Sequence, residues 1–325
     1  MKAIVFTEYG SPDCLQVKEV AKPTPKDDEV LVKVHASSIN SWDWEFQSGT
    51  SFINRLLFGI FKPKPEKQIL GADIAGTIEE VGKNVTRFQL GDDVFGDLWD
   101  SWGGFAEYAC TPERSLELKP VNSTFLEAAA VPQAGVLALQ GLRKTGQIRP
   151  GQKVLINGAG GGVGTFAVQL AKLSGTEVTG VDRSHKLGVI RSVGADHVID
   201  YRKEDFTQTG HQYDLILDTQ GVRSMFDYKR ALSPHGIYAM VGGDMPRMLQ
   251  ALFFRLWGSI TGGQKFNFVA EGPNKGLADL KALIEAGKVL PVVDKCYKLS
   301  EVPEALRYFS EGRHAGKVVV DIEKS

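Results

Sequence analysis

Cysteine is scarce: the 325 residues hold three, Cys14, Cys110 and Cys296, far apart in the chain. Thiols so few and so scattered exclude a disulfide-stapled scaffold and a cysteine-rich zinc site, and make a reducing, cytoplasmic setting the default. Excess charge is missing as well. The 38 basic and 39 acidic residues are intermixed and leave a net charge of −1, so there is no basic face of the kind that nucleic acid demands. Long apolar runs are also absent. Stretches 52–61 and 249–260 are interrupted by Arg55, Arg255 and glycine, and fall short of the roughly 20 residues of a membrane span. The opening MKAIVFTEYG lacks the apolar core of a signal peptide and reads as a strand. There is no solenoid repeat and no low-complexity tract. What remains is length for about two domains, a core that needs no staple, and a small neutral or phosphate-bearing ligand as the natural partner.

Against these absences, one segment stands out. In KVLINGAGGGVGTFAVQLAK, residues 153–172, an apolar strand runs into a glycine cluster and then into an apolar helix. A dinucleotide pyrophosphate needs that order. Gly161, Gly162 and Val163 open the helix where its N–H groups and positive dipole end face the diphosphate, and glycine lets backbone approach phosphate without a Cβ between them. Gly164 lets the helix pack closely on its strand. The pattern departs from G-x-G-x-x-G at its first position, which is Ala159. A bare strand-to-helix turn is the alternative reading. The context argues for the cofactor site, because Asp182 closes the strand EVTGVD about 20 residues on, where the ribose-binding acid of such a unit belongs.

The rest of the chain divides by texture. The first 120 residues read as short strands with Gly, Pro and Asp punctuation: AIVF, LQVKEV, EVLVKVHASSI, ILGADIAGTIEEVG, DDVFGD and GGFAEYACT. From about 125 the chain alternates strand and helix, beginning with the capped segment STFLEAAA. The strands VLINGA, EVTGVD, HVID, YDLILD and IYAMVG, with helices such as 185–193 and 225–231, predict a parallel sheet covered on both faces. A further strand FNFVA precedes a helix over 275–286, and β-rich texture returns in KCYKL and KVVVDI. That tail is too short to be a domain, so it is expected to complete the first one.

The segments SSINSWDWEFQSG, ILGADIAGTIEEVG, VPQAGVLALQGL, INGAGGGVGTFAVQLAK, LGVIRSVGADHVIDY and GRHAGKVVV, in this order, span nearly the whole chain. Together they resemble the medium-chain dehydrogenase/reductase superfamily and, within it, the zinc-independent quinone oxidoreductase branch. The resemblance implies an α/β protein: a GroES-like β-rich catalytic domain over 1–124 and 272–325, and a Rossmann doubly wound parallel-sheet domain over 125–271. It further implies an active site in the cleft between the two domains and a homodimer paired through the edge strand FNFVA.

The same resemblance bears on metal. Zinc alcohol dehydrogenases of this superfamily place a cysteine where this chain has Asn40 and a His-Glu pair where it has Ala72-Asp73. They take another ligand from the region held here by PQAG, 132–135, and many carry a four-cysteine lobe that this chain lacks. Catalytic zinc needs three protein ligands and an open position, and Asn40 with Ala72 cannot supply that set. His35, His185 and His197 read as surface or core histidines with no second ligand at helical or hairpin spacing. Without a Lewis acid, reduction of an acceptor that already delocalises negative charge, a quinone or an enone, is the easier chemistry. Asn40 is the candidate hydrogen-bond donor to the developing oxyanion. Asp43 is a second catalytic candidate or a loop-capping carboxylate. Trp44, with Trp42 and Phe46, lines a slot for a flat substrate or packs in the core.

The choice of nicotinamide turns on opposed signals. Asp182 suits the ribose hydroxyls of NAD(H), whereas Arg183, Lys186 and Tyr201 stand where NADPH-using relatives hold a phosphate clamp. Two cations forming charge-assisted hydrogen bonds outweigh one carboxylate that rotates away, so NADP(H) is preferred and NAD(H) remains the alternative. Gln220, Gly242, Gly243, Phe268 and Val269 resemble the later strand-end contacts to cofactor. Two further functional readings stay open. An enoyl-thioester reductase would need a basic groove, for which Arg247, Arg255 and Lys265 are the available cations; a non-catalytic nucleotide-binding protein would keep the glycine turn without turnover. The apolar segment 245–263 covers a lipophilic substrate or packs at a dimer interface.

Overall fold

A computed structural model of the chain describes residues 1–243, 245–261, 263–269 and 272–324, without the side chains of 53, 54, 66, 245 and 257–261. Two compact units emerge: 1–133 with 277–285 and 291–325, and 134–276 with 286–290.

The N-terminal part of the first unit contains strands β1 (Lys2–Val5), β2 (Gln16–Glu19) and β3 (Glu29–Ser38), then helices α1 (Ser41–Ser48) and α2 (Phe52–Phe58). Strands β4 (Asp73–Val81), β5 (Asp93–Asp97), β6 (Tyr108–Pro112) and β7 (Glu117–Leu118) follow, and then helix α3 (Phe125–Ala129). Helix α4 (Pro132–Gln140) leads onward. The second unit alternates β8 (Lys153–Asn157), α5 (Gly162–Leu173), β9 (Glu177–Asp182), α6 (Leu187–Ser192), β10 (His197–Asp200) and β11 (Tyr213–Asp218). It continues through α7 (Met225–Ala231), β12 (Leu232–Met240), α8 (Met245–Thr261) and β13 (Lys265–Phe268). The chain then returns to the first unit with α9 (Leu277–Glu285), β14 (Val293–Lys298), α10 (Val302–Ser310) and β15 (Lys317–Asp321).

In the second unit, six parallel strands hydrogen-bond in the order β10-β9-β8-β11-β12-β13. This is the doubly wound order, which reverses direction beside the first strand and brings the carboxyl ends of β8, β9, β11 and β12 to one edge. The strands read as nearly continuous apolar runs because helices cover both faces of such a sheet: Val154, Leu155, Ile156, Leu215, Ile216 and Leu217 are fully buried. Strand β13 forms the sheet edge, as expected for FNFVA, although Ala270 of that segment lies outside the described residues. Within segment 245–263, α8 sets buried Ala251 and Phe254 toward the core and Leu249 and Leu252 toward solvent; Gly262 lies outside the described residues.

The first unit is built on a mixed sheet ordered β14-β15-β3-β4-β5-β7, with β6 pairing β3. Every pair is antiparallel except β14 with β15. The tail therefore completes the first sheet, as its β-rich texture implies. The boundary lies after Gln133 rather than after residue 124. The reason is local: Thr124 caps α3 by accepting from the Glu127 N–H, and α3 packs on β3 and β4. At the other end the segment through 276 belongs to the second unit, where Gln140 Nε2 donates to the carbonyls of Gly272 and Lys275. Helix α1 also turns SWDWEFQS into more than a loop, with Trp42 and Phe46 one turn apart. Among the described residues, no helix is long and apolar enough to cross a membrane.

Candidate cofactor and active site

In the second unit, β8 delivers the chain to Gly158, whose φ of +85° only glycine adopts freely. A Cβ there would lie 2.2 Å from Thr219 Oγ1, and one on Gly164 would lie 2.2 Å from the Gly158 carbonyl. Both glycines are therefore demanded by close packing of turn, helix and strand. Gly161 differs. A Cβ on it would meet nothing nearer than the Gly158 carbonyl at 3.4 Å, so the space over the start of α5 is open, and Gly161, Gly162 and Val163 are half-exposed there. With uncapped N–H groups at a helix N-terminus, this cradle fits a diphosphate.

The acid beyond it behaves differently from the expectation. Asp182 is buried, and its oxygens turn back onto the chain: Gly160 N–H donates to Oδ2 at 2.9 Å and Arg183 N–H to Oδ1 at 2.8 Å. The buried Lys186 ammonium lies 3.9 Å from the same carboxylate. A carboxylate held in this way braces the glycine turn and is partly neutralised, rather than reaching for two ribose hydroxyls. Arg183 Nε in turn donates to the Tyr201 hydroxyl at 2.9 Å, which brings these two together beyond β9 and β10, while the Lys186 ammonium is buried beside Asp182. These residues, with the open cradle, fit a dinucleotide carrying a 2′-phosphate.

The remaining strand ends carry a residue the sequence reading passed over. Asp218, fully buried, closes β11 and accepts from Asn157 Nδ2 at 2.8 Å, the Tyr238 hydroxyl at 2.7 Å, Gln220 N–H at 2.9 Å and Gly221 N–H at 3.1 Å. Burial first, and Asp218 second, push the Tyr238 phenol well above its ordinary range, so it stays a donor. This network holds Gln220, which is exposed. Gly242 and Gly243, with φ of +70° and +117°, turn the chain out of β12. Phe268 and Val269 are half-buried, and Val269 N–H bonds the Met240 carbonyl at 2.9 Å. All five candidates thus stand at carboxyl ends of parallel strands. An acid ending an apolar strand, as in both YDLILD and EVTGVD, was the signal that could have found Asp218.

In the first unit, sheet register assembles a buried polar cluster. Across the sheet, Asp97 opposes Asp73, Asp73 opposes Ser38, and Ser38 opposes Val319. Lys317, two residues before Val319, shares its face of β15. The Lys317 ammonium reaches Asn40 Oδ1 at 2.5 Å, the Ile39 carbonyl at 3.2 Å and Asp73 Oδ2 at 3.4 Å. Asn40 Nδ2 donates to Asp73 Oδ2 at 3.0 Å, Ser38 Oγ donates to the same oxygen at 3.1 Å, and Gln133 N–H donates to Asp73 Oδ1 at 3.0 Å. Lys317 is 3% exposed and Asp73 0%, so this ion pair lies out of water. Burial pulls the lysine below its ordinary pKa, against the opposing effect of the nearby carboxylates. Burial, then Asp73, holds the Asp97 carboxyl well above the usual carboxylate range.

Asn40 and Asp43 are both here, with different surroundings. Asn40 N–H donates to Asp43 Oδ2 at 2.8 Å, and Gly71 N–H donates to Asp43 Oδ1 at 3.0 Å. Asp43 is fully buried, and burial raises it to about 7 despite those two donors. It ties the start of α1 to the Gly71 turn, the capping half of its two readings. Trp42 stacks on Phe46 at 5.6 Å between centroids, and Phe46 meets Trp102 edge-on at 5.2 Å. Trp44, two residues along the helix from each, is half-buried and packs against the same core. Alternate residues diverge on a helix, so Trp42, Trp44 and Phe46 do not form one aromatic face. Ala72 is fully buried, and among the described residues no three His, Cys, Asp or Glu side chains are grouped to hold a metal ion.

A dinucleotide-type parallel sheet in one unit and a mostly antiparallel unit bearing a buried polar cluster define a two-domain dehydrogenase or reductase. The chain belongs to the medium-chain dehydrogenase/reductase superfamily, in its quinone oxidoreductase-like branch. Residues 26–121 match the alcohol dehydrogenase GroES-like domain, and 193–320 match the zinc-binding dehydrogenase family model. The chain is 34% identical to 2-methylene-furan-3-one reductase of Solanum lycopersicum, over 98% of this chain and 79% of that protein. It is 32% identical to the chloroplastic NADPH-dependent alkenal/one oxidoreductase of Arabidopsis thaliana, with the same coverage. Among solved structures it resembles the quinone oxidoreductase of Coxiella burnetii, with a TM-score of 0.87, 28% identity and 99% of each chain covered.

Proposed function

We propose that this protein is a zinc-independent reductase that prefers NADPH and reduces quinones or α,β-unsaturated carbonyls. The observation that carries this reading is the buried cluster in which Lys317 contacts Asn40 and Asp73, two residues that the family resemblance aligns with the Cys and His-Glu positions of zinc-dependent members. An ammonium already fixed there repels a divalent cation, and neither Asn40 nor Ala72 replaces a thiolate or an imidazole. The relatives named for NADPH, alkenals and enones point the same way.

Bound NADPH would supply the hydride. The chain's own part is to hold and polarise. Gly161, Gly162 and Val163 would seat the diphosphate, and Arg183 with Tyr201 and Lys186 would take the 2′-phosphate. Asn40 spends one amide hydrogen on Asp73; the other is its donor for the oxygen that gains charge as the acceptor is reduced. We further propose a cytoplasmic homodimer paired through β13, which among the described residues pairs with β12 on one side and stands at the end of the sheet on the other.

The test is a panel of quinones, enones, enals and enoyl thioesters with NADPH and NADH, followed at the nicotinamide absorbance. Turnover of quinones or enones with higher kcat/KM for NADPH supports the reading. Preference for enoyl thioesters, equal use of NADH, or cofactor binding without turnover each overturns a stated part of it. Light scattering on a sizing column checks the dimer, which a monomer mass would refute.

A further inference from the structure

Resting on the donor role of Asn40 proposed above, we propose that Lys317 is a positioning residue that sets which way the Asn40 amide faces. A carboxamide has two nearly isosteric orientations, and its neighbours decide between them. Here Oδ1 faces an ammonium at 2.5 Å and Nδ2 faces a carboxylate oxygen at 3.0 Å. Rotating the amide by half a turn would set N–H groups against the ammonium and a carbonyl against the carboxylate. Both contacts would become repulsive in a water-free site. The pair Lys317 and Asp73 therefore acts as a two-sided key for one orientation.

Lys317 itself does not serve the acceptor. Its ammonium has three hydrogens, and three acceptors meet them: the Ile39 carbonyl, Asn40 Oδ1 and Asp73 Oδ2. The residue is 3% exposed, so it works through Asn40 rather than by touching substrate. Ser38 Oγ and Gln133 N–H also donate to Asp73, so hydrogen bonds of its own fix the carboxylate that Asn40 Nδ2 faces.

The experiment is the charge-neutral double variant Lys317→Met with Asp73→Asn, compared with Asn40→Ala, all in the full chain. The double variant removes the two charges that make the wrong amide orientation repulsive, and leaves no buried unpaired charge. We expect its kcat to fall roughly 100- to 1,000-fold, the scale of losing one oriented donor, with NADPH affinity unchanged. Wild-type kcat in the double variant overturns the proposal while leaving the Asn40 reading intact. A large rise in the NADPH dissociation constant also overturns it, since that places Lys317 on the cofactor. Full turnover by Asn40→Ala refutes the donor reading itself, and the Lys317 role with it. Should the double variant not fold, neutron diffraction from crystals of the wild-type protein decides: deuterium is expected on the Asn40 amide atom that faces Asp73 and none on the atom that faces Lys317. The reverse placement, or a mixture of the two, would overturn the proposal.

Discussion

Arg183 Nε donates to the Tyr201 hydroxyl at 2.9 Å, joining the residues that follow the neighbouring parallel strands β9 and β10. The pair sits beside an acid, Asp182, whose carboxylate is already engaged by two backbone N–H groups. Charge of the two signs at this corner is thus sorted by direction: the carboxylate faces the turn and the guanidinium faces the tyrosine.

Arg183→Ala should lower kcat/KM for NADPH roughly 10- to 100-fold, the loss of a charge-assisted hydrogen bond to phosphate. The value for NADH should hardly move. Parallel kinetics with both cofactors check this, and an equal loss with both would show that Arg183 supports the fold of the turn rather than the phosphate.

Metal analysis of the purified protein should find zinc well below one ion per chain, and prolonged chelation should leave quinone or enone turnover unchanged. A stoichiometric metal, or activity restored only by zinc, would contradict the reading of Asn40, Ala72 and Lys317.

Gly164→Ala should destabilise the second unit and abolish tight NADPH binding. The added methyl group would lie 2.2 Å from the Gly158 carbonyl and 2.5 Å from Ala159 Cα, both rigid backbone; overpacking of this kind typically costs about 1–3 kcal/mol. Gly188→Ala in α6 is the control, since its Cβ would meet nothing within 4 Å and should leave stability unchanged or higher. Thermal melts with and without NADPH distinguish the two.

Asp43 makes stability depend on pH. Its folded pKa, about 7, lies above the ordinary value of 3.8, so between those values the folded state holds a proton that the unfolded chain has released. Stability from this group is full below about pH 4 and is lost as pH rises toward 7. Asp43→Asn should flatten that slope in denaturant titrations across this window. It should also cost about 1–3 kcal/mol at low pH, because one of the two N–H donors on Asp43 would face an NH₂ group. An unchanged slope would show that Asp43 ionises normally in the folded protein.

Much of the architecture was legible because it is written over short distances. EVTGVD, HVID and YDLILD are strands at the residues read from their apolar runs, and α7 spans Met225–Ala231 as its pattern implies. Caps and local packing moved other limits. The helix read over 185–193 begins at Leu187 because Ser184–Lys186 closes a tighter turn first, and the helix read over 275–286 spans Leu277–Glu285. Lys317 was visible only as one letter of GRHAGKVVV, where a strand pattern assigns it no partner.

By itself the sequence determined that a glycine turn opens a helix after an apolar strand and that an acid and two cations follow it. Composition, periodicity and spacing carry such facts, because each depends on residues close in the chain; that Asn40 and Ala72 stand at zinc-ligand positions is what the family resemblance implies. Only the tertiary structure decided which way Asp182 faces and which side chains surround Asn40. Lys317 and Asn40 stand 277 positions apart, and they meet because β15 pairs with β3 in one register. A one-residue slip there would turn Lys317 to the opposite face of the sheet, so the cluster exists only once the whole first unit has closed.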